Sequence, residues 1–397
     1  MEGRRLLFPF LMGLLVVGIL LTGLACRRPQ EAAAPAPPPA SPAAAPAAPP
    51  AAPLAPTPKP IVLKVQASWP GGTILYENLK MFAERVEVLS GGRLKIEHMP
   101  AGAIVPAFEV LDATYKGVLD GAHTATGYWI GKHLAAGLFS NAPGGPWGMD
   151  TMDYLAWIHH GGGLELLHEF YRDILKREVV VFPIMPLAPQ VLGWFKRPIR
   201  GLEDLKGLRI RVGGIVAEVY QEMGAAVVTL PGAEILPAAE RGVIDAAEWD
   251  SPVSDLQLGF HNVWKHYYMP SLHEPATNLE LIFNKDVWNK LPPDLQEIVK
   301  AAVFETWLRW KLKYEWENAT ALRDLQTRHG VTVHRTPDEV MLKQLEVWDR
   351  IAQREAAKDP FFKKVWESQR EFASLMVPQK WMRHPPYDLA ASYYWKR

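Results

Sequence analysis

The sequence LKGLRIRVGG, residues 205–214, predicts the unit around which the fold is built. Aliphatic residues alternate in it with Arg209 and Arg211, which is the two-residue period of a β-strand. The glycine pair 213–214 then ends the strand, and a run with helical spacing follows over 216–223. A strand that leads directly into a helix indicates an α/β protein, in which ligands bind at the carboxyl ends of the strands.

The two arginines of this stretch are candidate anion-binding residues. A guanidinium at a strand end, beside a helix N-terminus, can hold a carboxylate in two parallel hydrogen bonds. The strand period puts Arg209 and Arg211 on the same polar face, so the period does not separate them. The alternative is that both are solvated side chains on an edge strand.

The composition indicates a globular protein without a nucleic-acid partner. The chain has 397 residues, 48% of them apolar and 22% charged, which favours about two domains. Lysine plus arginine and aspartate plus glutamate number 43 each, and no polybasic run occurs. This charge pattern argues against binding to nucleic acid.

Residues 1–26 have the pattern of an export signal. Arg4 and Arg5 precede an apolar run over 6–24, and a small residue stands before Cys26, the single cysteine of the chain. A cysteine at that place predicts lipid attachment to the new N-terminus. The alternative is an uncleaved membrane anchor, because the apolar run is near the minimum length for spanning. Both interpretations place the remaining chain outside the cytoplasm.

The next segment, 27–60, consists almost entirely of alanine and proline. It has no hydrophobic period, so we interpret it as a tether. In an extended polyproline conformation it spans on the order of 100 Å, at about 3.1 Å per residue. A tether of this length can lift a folded domain away from a membrane.

The folded part is predicted to be a two-lobed α/β clamp of the periplasmic-binding-protein type. Residues 61–184 read as β-α-β-α-β and form the first lobe, and residues 185–285 form the second. Trp69 and Tyr128 follow strands of the first lobe and are candidate cleft residues. The alternative for each is a buried aromatic side chain at a sheet edge. The two lobes are expected to share crossover strands as a hinge.

The C-terminal third is predicted to be helical, apart from a short strand at 331–333. Within 286–375, the run 293–328 forms one helix of roughly 50 Å, which is long enough to brace both lobes. Residues 336–339, TPDE, have the pattern of a capping box for the following helix. A last helix is expected to end near residue 375. The aromatic tail, 376–397, packs on the body or on a partner chain.

Two further stretches carry oxygen ligands. The acidic run 245–250 contains Glu248, and Glu274 follows His273 before a predicted strand. Carboxylates with nearby backbone carbonyls suit a hard cation such as Ca²⁺ or Na⁺, although an acidic run is also typical of a solvated turn. The sequence contains no Walker loop, dinucleotide fingerprint or HExxH zinc motif.

These features together resemble the extracytoplasmic solute-binding subunits of TRAP transporters. The resemblance covers residue 61 to the last helix, and it is strongest to the branch that binds 2-oxo and 2-hydroxy monocarboxylates with a cation. The motifs that carry the resemblance, besides LKGLRIRV, are SWP (68–70), PAFEV (106–110), GGGLEL (161–166), GWF (193–195), EW (248–249) and HEP (273–275).

The resemblance implies a role for each site residue. It selects Arg211 rather than Arg209 as the residue that clamps the substrate carboxylate. It implies that Gln190 reaches both the substrate and the cation, and that Tyr128 donates a hydrogen bond to the substrate within a cleft that also contains Trp69. The implied cation ligands are Glu248, the carbonyl of Trp249, Glu274 and Gln190.

The predicted function is therefore capture of a small 2-oxo or 2-hydroxy monocarboxylate, such as pyruvate or lactate, together with Ca²⁺ or Na⁺. The implied partners are the membrane subunits of the transporter and, through the C-terminal helix, a second copy of the chain. The sequence departs from the family pattern at 141–147, where a Pro/Gly loop is expected to change one pocket wall.

Two alternatives are open at this point. One is a secreted lyase that uses Glu248 or His273 as its general base. The other is a solute receptor or sensor component without a transporter of its own.

Overall fold

The computed structural model describes residues 59–140 and 142–395. The predicted signal peptide 1–26 with Cys26, and the predicted tether except for its last two residues, lie outside the described residues. Within the described ranges, no helix combines the length and the apolar character needed to cross a membrane.

The described residues contain eleven β-strands. Most of them are short, and the longest are largely buried, as expected for strands covered on both faces. The strands are β1 (Ile61–Ala67), β2 (Leu94–Met99), β3 (Gly121–Thr124), β4 (Val179–Pro186), β5 (Gly193–Phe195), β6 (Arg209–Arg211), β7 (Ala226–Val228), β8 (Ala246–Ala247), β9 (His266–Met269), β10 (Asn278–Asn284) and β11 (Thr332–Arg335).

Helices cover the sheets and form the C-terminal region. They are α1 (Ile74–Leu89), α2 (Val110–Tyr115), α3 (Gly145–Gly148), α4 (Thr151–His160), α5 (Gly163–Glu169), α6 (Val216–Glu222), α7 (Gly232–Glu240), α8 (Pro252–Leu258), α9 (Lys285–Lys290), α10 (Pro293–Thr327), α11 (Asp338–Lys358), α12 (Pro360–Arg383) and α13 (Tyr387–Trp395).

The strands form two sheets, one for each lobe of the predicted clamp. The first has the order β2-β1-β3-β10-β4, with β1 parallel to β2 and β3, and with β10 antiparallel to both of its neighbours. The second has the order β11-β9-β5-β8-β6-β7, in which β6 is parallel to β7 and β8. Parallel strands with helical crossovers confirm the expected two-lobed α/β fold class.

Strand pairing differs from the predicted lobe ranges at two places. Strand β10 lies in the range predicted for the second lobe, yet it is hydrogen-bonded between β3 and β4 in the first sheet. Strand β11 lies beyond the range predicted for the second lobe, and it pairs with β9 in the second sheet. The hydrophobic period of a segment identifies a strand but carries no information about its pairing partner. The sheet to which β10 and β11 each belong could therefore not be predicted from the sequence.

The long helix α10 connects elements of both sheets, as the sequence predicted. The indole of Trp310 donates to the carbonyl of Ile74 at the start of α1, at 2.9 Å. Four residues later, the hydroxyl of Tyr314 donates to Asp250 after β8, at 2.6 Å. Helix α10 has 35 residues, or about 50 Å at 1.5 Å per residue, so one rigid element reaches both contacts.

Two local predictions in the C-terminal region are wrong. The hydroxyl of Thr336 does not cap α11; it is buried without a hydrogen-bond partner among the described residues. Glu339 instead accepts from the backbone N–H of Leu202, at 3.3 Å. The last predicted helix continues past residue 375 to Arg383, because Pro378 is accommodated within α12, and α13 follows it.

Candidate ligand site

All seven residues that the sequence analysis assigned to ligand or cation binding line one cavity. They come from six separate segments of the chain, each next to the end of a strand, which is the expected ligand position in an α/β sheet. They are Trp69 after β1, Tyr128 after β3, Gln190 before β5, Arg211 at the end of β6, Glu248 and Trp249 after β8, and Glu274 before β10.

Arg211 and Glu248 form a buried ion pair at the centre of the cavity. Nη1 of Arg211 lies 2.5 Å from Oε1 of Glu248, and only 2% and 1% of the two residues are exposed. The same nitrogen donates to the carbonyl of Glu248 at 2.9 Å, and Nε donates to the carbonyl of Leu230 at 3.0 Å. The backbone N–H of Gly213 donates to Oε1 of Glu248 at 2.7 Å. The guanidinium is thus held in one orientation from three sides.

The glycine at position 213 lets the guanidinium pack closely against the backbone. A Cβ built on Gly213 would lie 3.2 Å from Nη2 of Arg211, which is tighter than an ordinary contact. The bare backbone therefore lets the guanidinium lie against the turn that follows β6. This explains why the strand ends in glycine, where the sequence analysis saw only a strand break.

Burial separates the two arginines that the strand period left equivalent. Arg209 makes a two-point ion pair with Asp245, through Nε to Oδ2 at 2.8 Å and Nη2 to Oδ1 at 2.9 Å. Its side chain is 47% exposed, whereas that of Arg211 is 3% exposed. Arg211 differs because it stands at the carboxyl end of β6, where the sheet meets the cavity.

Trp249 forms a wall beside Arg211. The guanidinium carbon lies 5.2 Å from the indole centroid, which is within cation–π distance. The indole N–H donates to the hydroxyl of Ser254 at 2.8 Å. A Cβ on Gly232, at the start of α7, would lie 2.4 Å from the ring, so only glycine permits this position of the indole.

Trp69 contributes a ring rather than a hydrogen-bond donor. Its indole N–H donates to Nδ1 of His123 at 2.6 Å. Because an indole nitrogen only donates, Nδ1 of His123 is the acceptor, and Nε2 carries the proton that it shares with Asn78 at 3.0 Å. Burial lowers the pKa of His123 to about 3, so this neutral tautomer persists at physiological pH.

Tyr128 faces the charged groups of the cavity. Its ring packs against Trp69, with the centroids 5.8 Å apart, and against Phe108, with the centroids 4.6 Å apart. Burial raises the pKa of Tyr128; Arg211 acts in the opposite direction, and Glu248 and Glu274 add to the rise. The phenol is therefore a neutral hydrogen-bond donor at neutral pH.

Gln190 and Glu274 form the side of the cavity opposite the β6 strand. Nε2 of Gln190 donates to Oε2 of Glu274 at 2.7 Å. This bond orients the amide, whose Oε1 is buried and accepts no hydrogen bond from the described residues. A buried amide oxygen without a donor is a polar group whose desolvation is uncompensated, and a cation would compensate it.

The donor set fits a hard cation better than a transition metal. Among the described residues, no group of three or more His, Cys, Asp or Glu side chains could hold a metal ion. The cavity instead combines two carboxylates, Glu248 and Glu274, with the amide oxygen of Gln190 and the adjacent backbone. Oxygen donors of this mixed kind suit Ca²⁺ or Na⁺.

Asp250 also borders the cavity, and the sequence analysis did not assign it a role. Its Oδ1 accepts from the hydroxyl of Tyr314, and its Oδ2 accepts from the hydroxyl of Ser251 at 2.9 Å. Burial raises the pKa of Asp250 to about 6. The carboxylate is thus committed to helix α10, and it connects the cavity rim to the bracing helix.

Two expectations about the surroundings of the site are corrected. The described part of the Pro/Gly loop, from Ala142 to Gly148, does not line the cavity but packs beside α11 and α12, where Trp147 donates to the carbonyl of Trp366 at 3.2 Å. His273 is not a lining residue either. It is fully buried, its Nδ1 lies 2.6 Å from the hydroxyl of Ser271, and burial lowers its pKa to about 3.

The cavity is small. The space open to the centres of water-sized groups has a volume of about 50 Å³. Its walls combine indole and phenol rings with one guanidinium and the oxygen cluster. A ligand of few heavy atoms with one anionic end therefore fits, whereas an extended ligand does not fit in this conformation.

The fold and the cavity define a two-lobed ligand-binding protein of the periplasmic type. The family model for bacterial extracellular solute-binding protein, family 7 (DctP), matches residues 65–358, and the chain belongs to this family of TRAP transporter solute-binding proteins. These are substrate-binding proteins of transporters rather than enzymes, and the family is extracytoplasmic.

Three similar proteins illustrate the relationship. A monocarboxylate 2-oxoacid-binding periplasmic protein from Nostoc sp. is 35% identical over 83% of this chain and 88% of its own. A TRAP solute-binding protein from Bordetella bronchiseptica RB50, a mixed occupancy dimer with copurified calcium and picolinate, has a TM-score of 0.79 at 29% identity, covering 85% of this chain and 98% of its own. One from Pseudoalteromonas atlantica, with bound sodium and pyruvate, has a TM-score of 0.77 at 30% identity, covering 83% and 98%.

The ion pair generates a prediction about stability. Arg211→Met removes the cation from beside a buried carboxylate, and should lower the free energy of unfolding by about 3–5 kcal/mol at pH 7. Arg209→Met, on the same strand, removes an exposed pair and should lower the free energy of unfolding far less. Urea unfolding followed by circular dichroism measures both. Equal losses in the two variants would show that the Arg211–Glu248 pair is not a special constraint.

Proposed function

We propose that this chain binds a small 2-oxo or 2-hydroxy monocarboxylate, of the size of pyruvate or lactate, together with one hard cation. The observation that carries the proposal is the cavity itself, in which Arg211 and the oxygen cluster around Gln190 face one small volume. The similar proteins support the same ligand class: one is named for binding monocarboxylate 2-oxoacids, one holds calcium with picolinate, and one holds sodium with pyruvate.

In this proposal Arg211 holds the substrate carboxylate. Nη1 and Nε are already bonded to Glu248 and to the carbonyl of Leu230, which fixes the plane of the guanidinium. Nη2 lies next to Gly213, which also lines the cavity. Tyr128 donates a hydrogen bond to the substrate, and Trp69 and Trp249 exclude water from the apolar end. Each charge-assisted bond contributes about 1.5–3 kcal/mol net.

The cation would be held by Glu248, Glu274, the amide oxygen of Gln190 and the carbonyl of Trp249. Arg211 brings one positive charge against the carboxylates Glu248 and Glu274, with Asp250 at the cavity border, and a monocarboxylate ligand adds a further negative charge. A cation offsets this excess, and its larger charge favours Ca²⁺ over Na⁺. When bound, the cation would supply positive charge beside the anionic end of the substrate.

Binding is proposed to close the two lobes. The cavity residues come from both sheets, so a ligand that contacts all of them favours the arrangement in which the lobes are together. The closed surface is then what the membrane subunits of the transporter recognise. A secreted lyase is the weaker candidate, because His273 is buried away from the cavity and Glu248 is tied to Arg211.

Attachment to the membrane is a separate part of the proposal. Cys26 follows a signal-like segment and precedes an Ala/Pro-rich tether, which supports lipid attachment at this residue. The tether would let the clamp reach the membrane subunits while it remains anchored.

The proposed assembly is a homodimer through the C-terminal helices. Trp381 and Met382, at the end of α12, are 81% and 90% exposed, and no residue of α13 is buried. Helices with so many exposed aromatic side chains are typical of a surface that is covered by a partner. The dimeric neighbour from Bordetella bronchiseptica supports a second copy as that partner.

The ligand proposal predicts the effect of a conservative change. Arg211→Lys retains the charge beside Glu248 but loses the planar fork, so affinity for pyruvate in the presence of calcium should fall about 100-fold. Arg209→Lys is the matched control and should bind within about twofold of the wild type. Isothermal titration calorimetry measures both, after mass spectrometry of the released ligand and metal has identified what the purified protein holds. Unchanged affinity in Arg211→Lys would contradict the clamp.

The dimer proposal has its own test. Replacing Trp381 and Met382 together by glutamate should convert a dimer into a monomer, because two charges cannot be buried in an apolar contact without compensation. Val88→Glu, another exposed apolar position, is the control and should not change the mass. Light scattering after gel filtration measures the mass. A wild-type chain that is monomeric at micromolar concentration would contradict the dimer.

A further inference from the structure

Another buried carboxyl group, that of Glu280, lies behind the cavity and has no part in the binding scheme described above. It is in the middle of β10, paired with Thr124 of β3 on one side and with Pro183 of β4 on the other. Only 2% of the residue is exposed. Its neighbour Leu279 lines the cavity but Glu280 does not, and the pairing of β10 with β4 shifts register between these two residues.

Both carboxylate oxygens of Glu280 are bonded to hydroxyl groups. The hydroxyl of Thr126 donates to Oε2 at 2.8 Å, and the hydroxyl of Tyr171 donates to Oε1. The indole N–H of Trp129 donates to the hydroxyl of Tyr171 at 2.9 Å. Glu280 therefore holds Thr126 directly and Trp129 through Tyr171.

These two contacts bracket the turn that carries Tyr128. The 3-10 segment Thr126–Trp129 begins and ends with the two anchored residues, while Gly127 and Tyr128 between them line the cavity. On the cavity side, the ring of Tyr128 packs against Trp69 and Phe108. From this arrangement we infer that Glu280 is a positioning residue, which fixes the phenol of Tyr128 for the ligand by holding both ends of its turn.

The effect is transmitted through the turn and not through a direct charge. The charges that act on the pKa of Tyr128 come from Arg211, Glu248 and Glu274. The titratable groups that face Glu280 are Tyr171 and Tyr154, and burial raises the pKa of both, so they stay neutral. The position of the hydroxyl of Tyr128, rather than its ionisation, is what Glu280 controls.

Protonation of Glu280 changes its hydrogen bonding. The ionised carboxylate accepts from both hydroxyls, whereas the protonated form has one donor and forces Thr126 or Tyr171 to reverse. Burial raises the pKa of Glu280 to about 7, although the hydrogen bonds from Tyr171 and Thr126 act to lower it. The anchored turn is therefore present above this pH and is loosened below it.

The inference rests on the proposed function, and one set of calorimetric titrations tests it. Pyruvate is titrated into the calcium-loaded full chain between pH 5.5 and 8.5, a range in which pyruvate itself stays ionised. Wild-type affinity should fall about tenfold as the pH drops through about 7. Glu280→Gln should keep the weaker affinity at every pH. The glutamine amide has only one acceptor oxygen, so it cannot accept a hydrogen bond at both positions as the ionised carboxylate does.

Matched variants separate positioning from general packing. Thr126→Ser keeps the hydroxyl and should retain the wild-type affinity, whereas Thr126→Val should weaken pyruvate binding about tenfold. Asp255→Asn changes another buried carboxyl group of raised pKa, which accepts from Trp194 and Tyr267 rather than from the turn, and it should keep the pH step. Calcium titrated alone should bind Glu280→Gln as it binds the wild type.

The free energy of unfolding should depend on pH in the direction opposite to ligand affinity. A raised carboxyl pKa stabilises the folded state below the unfolded value of about 4.5, and this contribution is lost as the pH rises through about 7. Glu280→Gln should remove that loss in urea unfolding, while ligand affinity moves the other way.

The outcomes distinguish the two levels of the account. Wild-type affinity and an unchanged pH step in Glu280→Gln overturn the inference and leave the proposed function standing. If Glu280→Gln does not fold, the Thr126→Val and Thr126→Ser pair decides, and equal affinities in that pair overturn the inference. A wild-type chain that binds no 2-oxo acid at any pH overturns both.

Discussion

The burial of Arg211 beside Glu248 is the interaction on which the rest of the site depends. Two charges that are almost fully removed from water persist only if each has a compensating partner in good geometry. The pair is closed by the N–H of Gly213 and by two backbone carbonyls, which use up one carboxylate oxygen and two of the three guanidinium nitrogens. What remains available, Nη2 and the oxygen cluster around Gln190, determines the chemistry of a ligand. Arg211 supplies one positive charge against the two carboxylates Glu248 and Glu274. This imbalance explains why the proposed anionic ligand is expected to bind together with a metal cation.

The architecture holds this pair between two sheets. Strand β10 returns to the first sheet directly after Glu274, and α10 fastens the cavity rim through Tyr314 and Asp250. The same strand carries Glu280, which holds the turn of Tyr128 from behind. The cavity residues lie on short segments next to strand ends, and strands and helices of the fold support these segments.

Sequence reasoning recovered the fold class, the long helix and the residues that line the cavity, because strand period, helical spacing and the family motifs are local signals. It did not recover the partners of β10 and β11, since register and pairing are set by tertiary packing. Arg209 and Arg211 are identical in pattern, and only burial at the strand end separates them. The position of Glu280 is itself informative, because a glutamate within the apolar run 279–283 is seldom buried unless it is hydrogen-bonded. Its partners Thr126 and Tyr171 lie 154 and 109 residues away, beyond any local pattern.

The most direct test of the central claim is the thermodynamic coupling between cation and acid. Pyruvate affinity is measured by calorimetry at a series of free calcium concentrations, and calcium affinity is measured at a series of pyruvate concentrations. If the buried charges are balanced as described, each ligand should raise the affinity of the other by the same factor, at least tenfold. Pyruvate affinity that is identical in chelator and in saturating calcium would contradict the account.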